Sequence, residues 1–288
     1  MGVPYAEVIG DPIAHSKSPL IHKFWLEKLG LDYDYRTRQV SAEDLPAYFE
    51  ERRRDPLWCG ANLTIPHKQS AIAHLDGLAY PAGAICAVNA VTREGAHQPR
   101  LIGHNTDAPG FIDTLFAWPG LDKDGAVGIA NVIGTGGAAA AVAWALRREG
   151  FIVIVYSRND ERGRAFLRRL DVDDIDFAQR LESLANPPGE GAVPSNSEDI
   201  VVNASPLGMR GFPPLEINLD GYSPQTLFYD LVYDPAETPL LRAARERGHP
   251  VIGGLDMLIA QAARAFTLFF AHEAPRQHDE ALRALLTS

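Results

Sequence analysis

With 288 residues, 46% hydrophobic and 22% charged, the chain has the make-up of an ordinary globular protein with room for two domains, which excludes disordered and fibrous classes. A formal net charge of −10 argues against non-specific nucleic-acid binding, which needs a basic face to neutralise phosphates. The N-terminus MGVPYAEVIGD carries no basic segment followed by an apolar one, and no apolar run reaches the ~18 residues of a membrane span, so a soluble, cytoplasmic protein is expected.

The first hundred residues alternate strand-like and helix-like segments: AEVIG, PLIHKFWLEKLG, DYDYRTRQV, LPAYFEERR and GANLTI, an α/β pattern. Ser18 and Pro19 read as N-cap and first helical residue, Ile21, Phe24, Trp25 and Leu29 follow at helical spacing, and Gly30 stands where a C′ glycine belongs. Cys59 and Cys86 fit neither a zinc site nor a redox pair and are expected as reduced thiols. AVNAVTRE and RLIGHNTD flank a short polar segment as two hairpin strands would. The nine histidines include no HExxH pairing, and no metal site is expected.

DAPGFIDTLFAW reads as a connecting helix. Beyond it AVGIANVIG, AAAAVAWALRREG, FIVIVYS, DERGRAFLRRL, DIVVNAS, TLFYDLVY, TPLLRAARERG and PVIGG alternate strand and helix regularly, as in a doubly wound parallel sheet. NPPGEGAVPSNS, residues 186–197, reads as a surface loop. LDMLIAQAARAFTLFF is apolar nearly all round, so its helix should be buried, packing back on the first domain.

VIGTGGAAAAV places Gly134, Gly136 and Ala139 as G-x-G-x-x-A between an apolar strand and an alanine-rich helix. The first glycine permits the tight turn, the second lets backbone approach a pyrophosphate, and the small third residue lets helix and strand pack closely. The helix N-terminus then offers free N–H groups to the phosphates. The next strand ends at Ser157, near the point where NAD-binding sheets carry an acidic residue, yet Ser157 and Arg158 stand there. Arg158, with Arg162 four residues on, favours the 2′-phosphate of NADP, while Asp160 between them suits a free ribose.

GDPIAHSKSPLIH, GANLTIPHK, AVNAV, GHNTD, VIGTGGAAAAV, NASPLGM, YDLVYDPAETPLL and GGLDMLIAQA, in this order over nearly the whole chain, resemble the blocks of the shikimate dehydrogenase family. The resemblance implies an α/β protein of two domains. An α/β substrate-binding domain, 1–106 plus 255–288, would accompany a Rossmann-like nucleotide-binding domain, 107–254, with the active site in a cleft. It implies reversible NADPH-dependent reduction of 3-dehydroshikimate to shikimate in chorismate biosynthesis by a monomer or homodimer, with NAD(H) as the alternative cofactor. Two rivals stand beside it, an NAD-dependent quinate/shikimate dehydrogenase and a non-catalytic sensor of dinucleotide or shikimate-like ligands.

A ketone accepting hydride develops negative charge on oxygen, so a proton donor held by a partner is required there. The resemblance assigns these roles to Lys68 and Asp107, whose carboxylate also suits a helix N-cap. It assigns the substrate carboxylate to Ser16 and Ser18, hydroxyls beside a helix N-terminus, and further substrate contacts to Thr64, Asn89, Tyr233 and Gln261. A buried Gln261 in so apolar a helix needs partners, which a polyol would supply. Gly134, Gly136, Gly137 and Ala138 with Ser157, Arg158 and Arg162 are the expected cofactor contacts on one side. Asn203, Ala204, Ser205, Leu231, Gly254 and Met257 are expected on the other. Ala90, where many relatives carry threonine, and Asp256, where glycine is frequent, depart from the family pattern.

Overall fold

The strands expected from the sequence pair into two six-stranded sheets, each organising its own unit of the chain. The computed structural model describes residues 2–119, 121, 128–170, 177–185 and 199–287, so the 186–197 loop lies outside the described residues. One unit comprises Met1–Gly110 with Ile259–Ser288, and the other Phe111–Leu258. Both boundaries fall inside helices, a few residues beyond the 106/107 and 254/255 junctions expected from sequence.

The first unit holds β1 (Tyr5–Gly10), β2 (Asp34–Gln39), β3 (Trp58–Leu63), β4 (Gly77–Leu78), β5 (Ala90–Glu94) and β6 (Arg100–His104), in the order β2-β1-β3-β5-β6-β4. β1 runs parallel to β2 and β3, whereas β5 is antiparallel to both β3 and β6, the expected hairpin. Helix α1 (Ser18–Leu29) buries Ile21, Trp25 and Leu26 and ends at Gly30, whose φ of 62° is the left-handed conformation that glycine adopts without penalty. Helix α2 (Leu45–Arg54) supplies Arg52 to Glu7, a buried carboxylate in the middle of β1 that also accepts from the Tyr48 hydroxyl. A charge so placed is tolerated because it is paired and hydrogen-bonded. Short helices α3 (His67–Ser70) and α4 (Ala82–Ile85) follow β3, and α5 (Asp107–Leu115) follows β6.

The second unit contains β7 (Ile129–Ile133), β8 (Ile152–Ser157), β9 (Phe177–Arg180), β10 (Ile200–Asn203), β11 (Leu227–Asp230) and β12 (Val251–Gly253). Their order is β12-β11-β10-β7-β8-β9, and every pairing is parallel. Val132, Val153, Val155, Val201 and Val202 are fully buried, as expected for strands covered on both faces. The chain winds outward from β7 in one direction and then in the other, so the sheet reverses between β7 and β10, the topological switch point of a Rossmann-like fold. Helices α6 (Gly137–Arg148), α7 (Asp160–Arg169) and α8 (Pro239–Glu246) complete this unit.

Helix α9 (Gly254–Phe270) belongs to the first unit from Ile259 onward. There Ile259, Ala260, Ala262, Phe266 and Phe270 are buried, and Phe266 meets Trp25 edge-on at 5.6 Å. Helix α10 (Asp279–Thr287) closes the chain. Among the described residues no helix is long and apolar enough to cross a membrane, and no group of three or more His, Cys, Asp or Glu side chains is placed to hold a metal ion. Neither Cys59 nor Cys86 forms a disulfide.

Candidate active site

In the first unit the structure brings Lys68, Asp107, Asn89 and Gln261 into one hydrogen-bonded group. Lys68 sits on α3, directly after β3 and Pro66, and its backbone carbonyl accepts from Val88 N at 2.7 Å. Its Nζ lies 2.6 Å from Asp107 Oδ2, with side-chain exposures of 18% and 5%, so the pair is largely withdrawn from water yet reachable at the lysine. The other carboxylate oxygen, Asp107 Oδ1, accepts from Asn89 Nδ2 at 2.9 Å. Asp107 is therefore not the cap of α5: Asn105 takes that part, its Oδ1 accepting from Ala108 N at 3.0 Å and its Nδ2 donating to Ala87 O. Asn105, ahead of the helix, does the capping, which leaves the carboxylate of Asp107, the first residue of α5, for Lys68 and Asn89.

Asn89 is held from both sides. Its Oδ1 accepts from Thr106 N at 2.7 Å, and its Nδ2 also reaches Thr106 Oγ1 at 2.8 Å. Gln261 approaches because α9 crosses α5 at Gly110, where an added Cβ would lie 2.8 Å from Gln261 N. Its Oε1 lies 3.3 Å from Asn89 Nδ2 and 3.4 Å from Thr106 Oγ1. The buried amide oxygen thus finds its partners within the protein, where the sequence suggested that a polyol would supply them.

Ser16 and Ser18 reach the same group through two residues the sequence reading missed. The Tyr35 hydroxyl lies against Ser18 and donates to Asn62 Oδ1 at 2.7 Å, and Asn62 Nδ2 donates to Asn89 O at 3.2 Å. Ser18 does not cap α1. Lys17 occupies the N-cap position without a side-chain bond, and Ser16 Oγ accepts from Ser18 N at 3.3 Å. Thr64, half-buried, stands beside Gly10, where a Cβ would meet its methyl at 2.4 Å. Tyr233 belongs to the second unit, where it is half-buried and burial raises its phenol above the usual range.

Under the stacked ring of Tyr35, 4.1 Å away and coplanar within 1°, lies His22. Fully buried among Trp25, Phe266, Phe269 and Phe270, its imidazole is held down at about 3 by desolvation. It is a neutral aromatic brace, and no proton donor near neutral pH.

The second unit offers a cradle made of backbone. Gly134 follows β7 with φ 120°, and a Cβ there would lie 2.9 Å from Ala204 O, so a side chain is excluded both by conformation and by space. At Gly136 a Cβ would meet nothing within 4 Å, which leaves open space beside the turn. Gly136 is the N-cap of α6 and makes no side-chain cap, so the first-turn N–H groups, including those of Gly137 and Ala138, face no competing side-chain acceptor. These features fit a pyrophosphate. Ala204 and Ser205 are partly exposed at the end of β10, whereas Asn203 is fully buried with its amide bonded to Leu207 O and Asp230, so it shapes that loop from beneath. A Cβ on Gly254 would lie 2.3 Å from Leu231 O, fixing those two segments against each other, and Met257 is buried.

At the end of β8, Ser157 is buried and its hydroxyl donates to Asn159 O. Asn159, a further residue missed in sequence, caps α7 by accepting from Arg162 N at 3.1 Å. Arg158 therefore precedes the helix while Arg162 lies in its first turn, and the two do not share a helical face. Both are exposed and neither has an ion pair among the described residues, while Asp160 Oδ1 lies 4.0 Å from Arg180 Nε of β9. Two arginines with uncommitted charge beside a partly neutralised aspartate fit a phosphate monoester.

Residues 8–91 match the shikimate dehydrogenase substrate binding domain, and residues 254–282 match the shikimate 5′-dehydrogenase C-terminal domain. A shikimate dehydrogenase (NADP(+)) of Sphingopyxis alaskensis is 45% identical over 290 residues, covering 99% of this chain and 97% of that protein. The crystal structure of shikimate 5-dehydrogenase from Thermus thermophilus in complex with NADP(H) and shikimate superimposes with a TM-score of 0.81 at 35% identity, covering 98% and 99% of the two chains. The Listeria monocytogenes enzyme in complex with shikimate and NAD gives 0.81 at 28% identity, covering 99% and 96%. Full-length identity of this order, together with the fold, settles the lineage: the chain belongs to the shikimate dehydrogenase family.

Proposed function

We propose that the chain is an NADP-dependent shikimate dehydrogenase, reversibly reducing 3-dehydroshikimate to shikimate in chorismate biosynthesis as a cytoplasmic monomer or homodimer. The observation that carries this reading is the withdrawn Lys68–Asp107 pair, joined through Asn89 to Gln261 in the unit that matches a substrate-binding domain. When bound, the nicotinamide supplies the hydride in one direction and takes it up in the other.

In the reducing direction the Lys68 ammonium donates a proton to the substrate oxygen as negative charge grows on it; in the oxidising direction the neutral amine takes that proton from the hydroxyl. Asp107 holds Lys68 Nζ in place, and Asn89 keeps the carboxylate from turning away. Asn89, Gln261 and Thr64 orient the ring hydroxyls, Ser16 and Ser18 hold the carboxylate, and Tyr233 adds a phenol. Gly134, Gly136, Gly137 and Ala138 would hold the pyrophosphate, and Arg158 and Arg162, with Ser157 next to Arg158 in the chain, would pair with the 2′-phosphate. Ala204, Ser205, Leu231, Gly254 and Met257 line the nicotinamide side, with Asn203 supporting them.

Asp160 favours NAD, since a carboxylate there suits free ribose hydroxyls, and Ala90, which lacks a hydroxyl for the substrate, loosens the preference for shikimate. Initial rates with shikimate and quinate, each with NADP and NAD, test the choice. The proposal expects the shikimate–NADP pair to dominate kcat/KM, and a preference for quinate with NAD would overturn it.

A further inference from the structure

Asp230, the last residue of β11, is fully buried, and no basic side chain partners it among the described residues. Its Oδ1 accepts from Asn203 Nδ2 at 2.9 Å and from Val232 N at 3.0 Å, and its Oδ2 accepts from Thr238 Oγ1 at 2.6 Å. Burial without a cation pushes its carboxyl up to about 6, against the pull of those three donors. A carboxylate placed at such cost calls for a reason beyond packing.

The three bonds reach three segments. Asn203, paired with Asp230 in the sheet register, is turned so that its Oδ1 accepts from Ser205 N at 3.1 Å and Ser205 Oγ at 2.7 Å, while its Nδ2 closes the loop on Leu207 O. That loop brings Ala204 O to 2.9 Å from the place a Gly134 Cβ would occupy. The bond from Val232 N turns the chain at Leu231, whose carbonyl lies against Gly254. Thr238 is the N-cap of α8, its hydroxyl accepting from Leu241 N at 3.3 Å while it donates to Asp230.

We propose that Asp230 is a positioning residue for the dinucleotide cradle: one buried carboxylate holds the Ala204–Ser205 loop against Gly134 and the Leu231 turn against Gly254. The inference rests on the reading that this unit binds NADP(H). It touches no reacting atom, so its effect is on cofactor affinity and not on proton transfer.

The test is NADPH fluorescence titration with steady-state kinetics on Asp230→Ser, Asp230→Asn and Thr238→Val in the full chain. Asp230→Ser removes the reach to all three donors and raises the NADPH Kd and the NADP KM about tenfold, with kcat at saturating NADP and the shikimate KM within about twofold of wild type. Asp230→Asn keeps an oxygen for Asn203 and Val232 and stays within about threefold of wild type, and Thr238→Val, losing one donor, falls between. Should Asp230→Ser fail to fold, the order wild type, Asp230→Asn, Thr238→Val in NADPH affinity carries the proposal. Unchanged NADPH affinity in folded Asp230→Ser or in Thr238→Val, or a shikimate KM that rises in step with the NADP KM, overturns it. Absence of NADPH binding by the wild-type chain would instead remove the cofactor reading beneath it.

Discussion

The two units build their binding surfaces from different material. In the unit of Met1–Gly110 with Ile259–Ser288 the working groups are side chains held by other side chains: Lys68 by Asp107, Asp107 by Asn89, Asn89 by Thr106 and Gln261. In Phe111–Leu258 the candidate pyrophosphate cradle is backbone, set by places where a Cβ cannot fit, at Gly134 against Ala204 and at Gly254 against Leu231, with the Arg158 and Arg162 side chains beside it. A reacting oxygen needs a proton and therefore a titratable group, while a pyrophosphate needs N–H donors at close range. The contrast implies that substitution of Lys68 lowers turnover, whereas substitutions in the glycine cradle and at Arg158 weaken cofactor binding.

The largest effect tests the first half of that statement. Lys68→Ala should lower kcat for shikimate oxidation by about 10²–10⁴, the usual worth of a positioned acid–base group. Unchanged turnover would remove Lys68 from the mechanism.

One buried group in each unit should also answer acid with opposite signs. The imidazole of His22 is held at about 3 when folded and returns to its ordinary value of 6.5 when unfolded. The unfolded chain therefore binds more protons between those values, and stability falls as pH drops through that window. Between pH 7 and pH 4.5 the loss is about 3 kcal/mol. Asp230 is raised from 3.8 to about 6, so the folded chain binds the extra proton and stability rises over pH 6 to 4, by about 2 kcal/mol down to pH 4.5. Urea melts at the two pH values should show His22→Phe flattening the acid loss and Asp230→Asn steepening it. Equal slopes in both variants would contradict the assignment of either group.

Smaller effects probe the cradle. Arg158→Ala should raise the NADP KM about 10–100-fold, the worth of a charge-assisted phosphate bond, while the NAD KM moves little. A parallel rise for both cofactors would place Arg158 outside the 2′-phosphate contact. Gly134→Ala should weaken NADPH binding about tenfold, because strain of ~1–3 kcal/mol at φ 120° and the clash with Ala204 O displace the turn. Wild-type affinity in that variant would show that the turn has room to yield.

The same contrast explains what the sequence made legible. The glycine turn and the strand–helix alternation around it are local signals, and the parallel pairing of β7 through β12 follows from that alternation, whereas the reversal between β7 and β10 is a property of the strand order that no local signal carries. Lys68 and Asp107 are separated by 39 residues, and only their ordered motifs join them before the geometry is seen. Asn62, Thr106 and Asp230 went unnoticed because each does its work through a partner on another strand or loop, which residue type and spacing do not encode. The caps differ from the sequence expectation for a related reason. Near Ser18 and Asp107 several polar residues compete for one helix end, and the winner depends on which side chain tertiary bonds claim elsewhere. Strand β4 is too short, at 2 residues, to carry a periodic pattern of its own, and β9 (FAQR) lacks the β-branched run that marks β10.

The central claim is that proton transfer and cofactor binding are carried by separate units, and NADPH titration of the Lys68→Ala variant tests it most directly. The account predicts a dissociation constant within about twofold of wild type despite the loss of turnover. A dissociation constant that weakens in proportion to the lost turnover would contradict it.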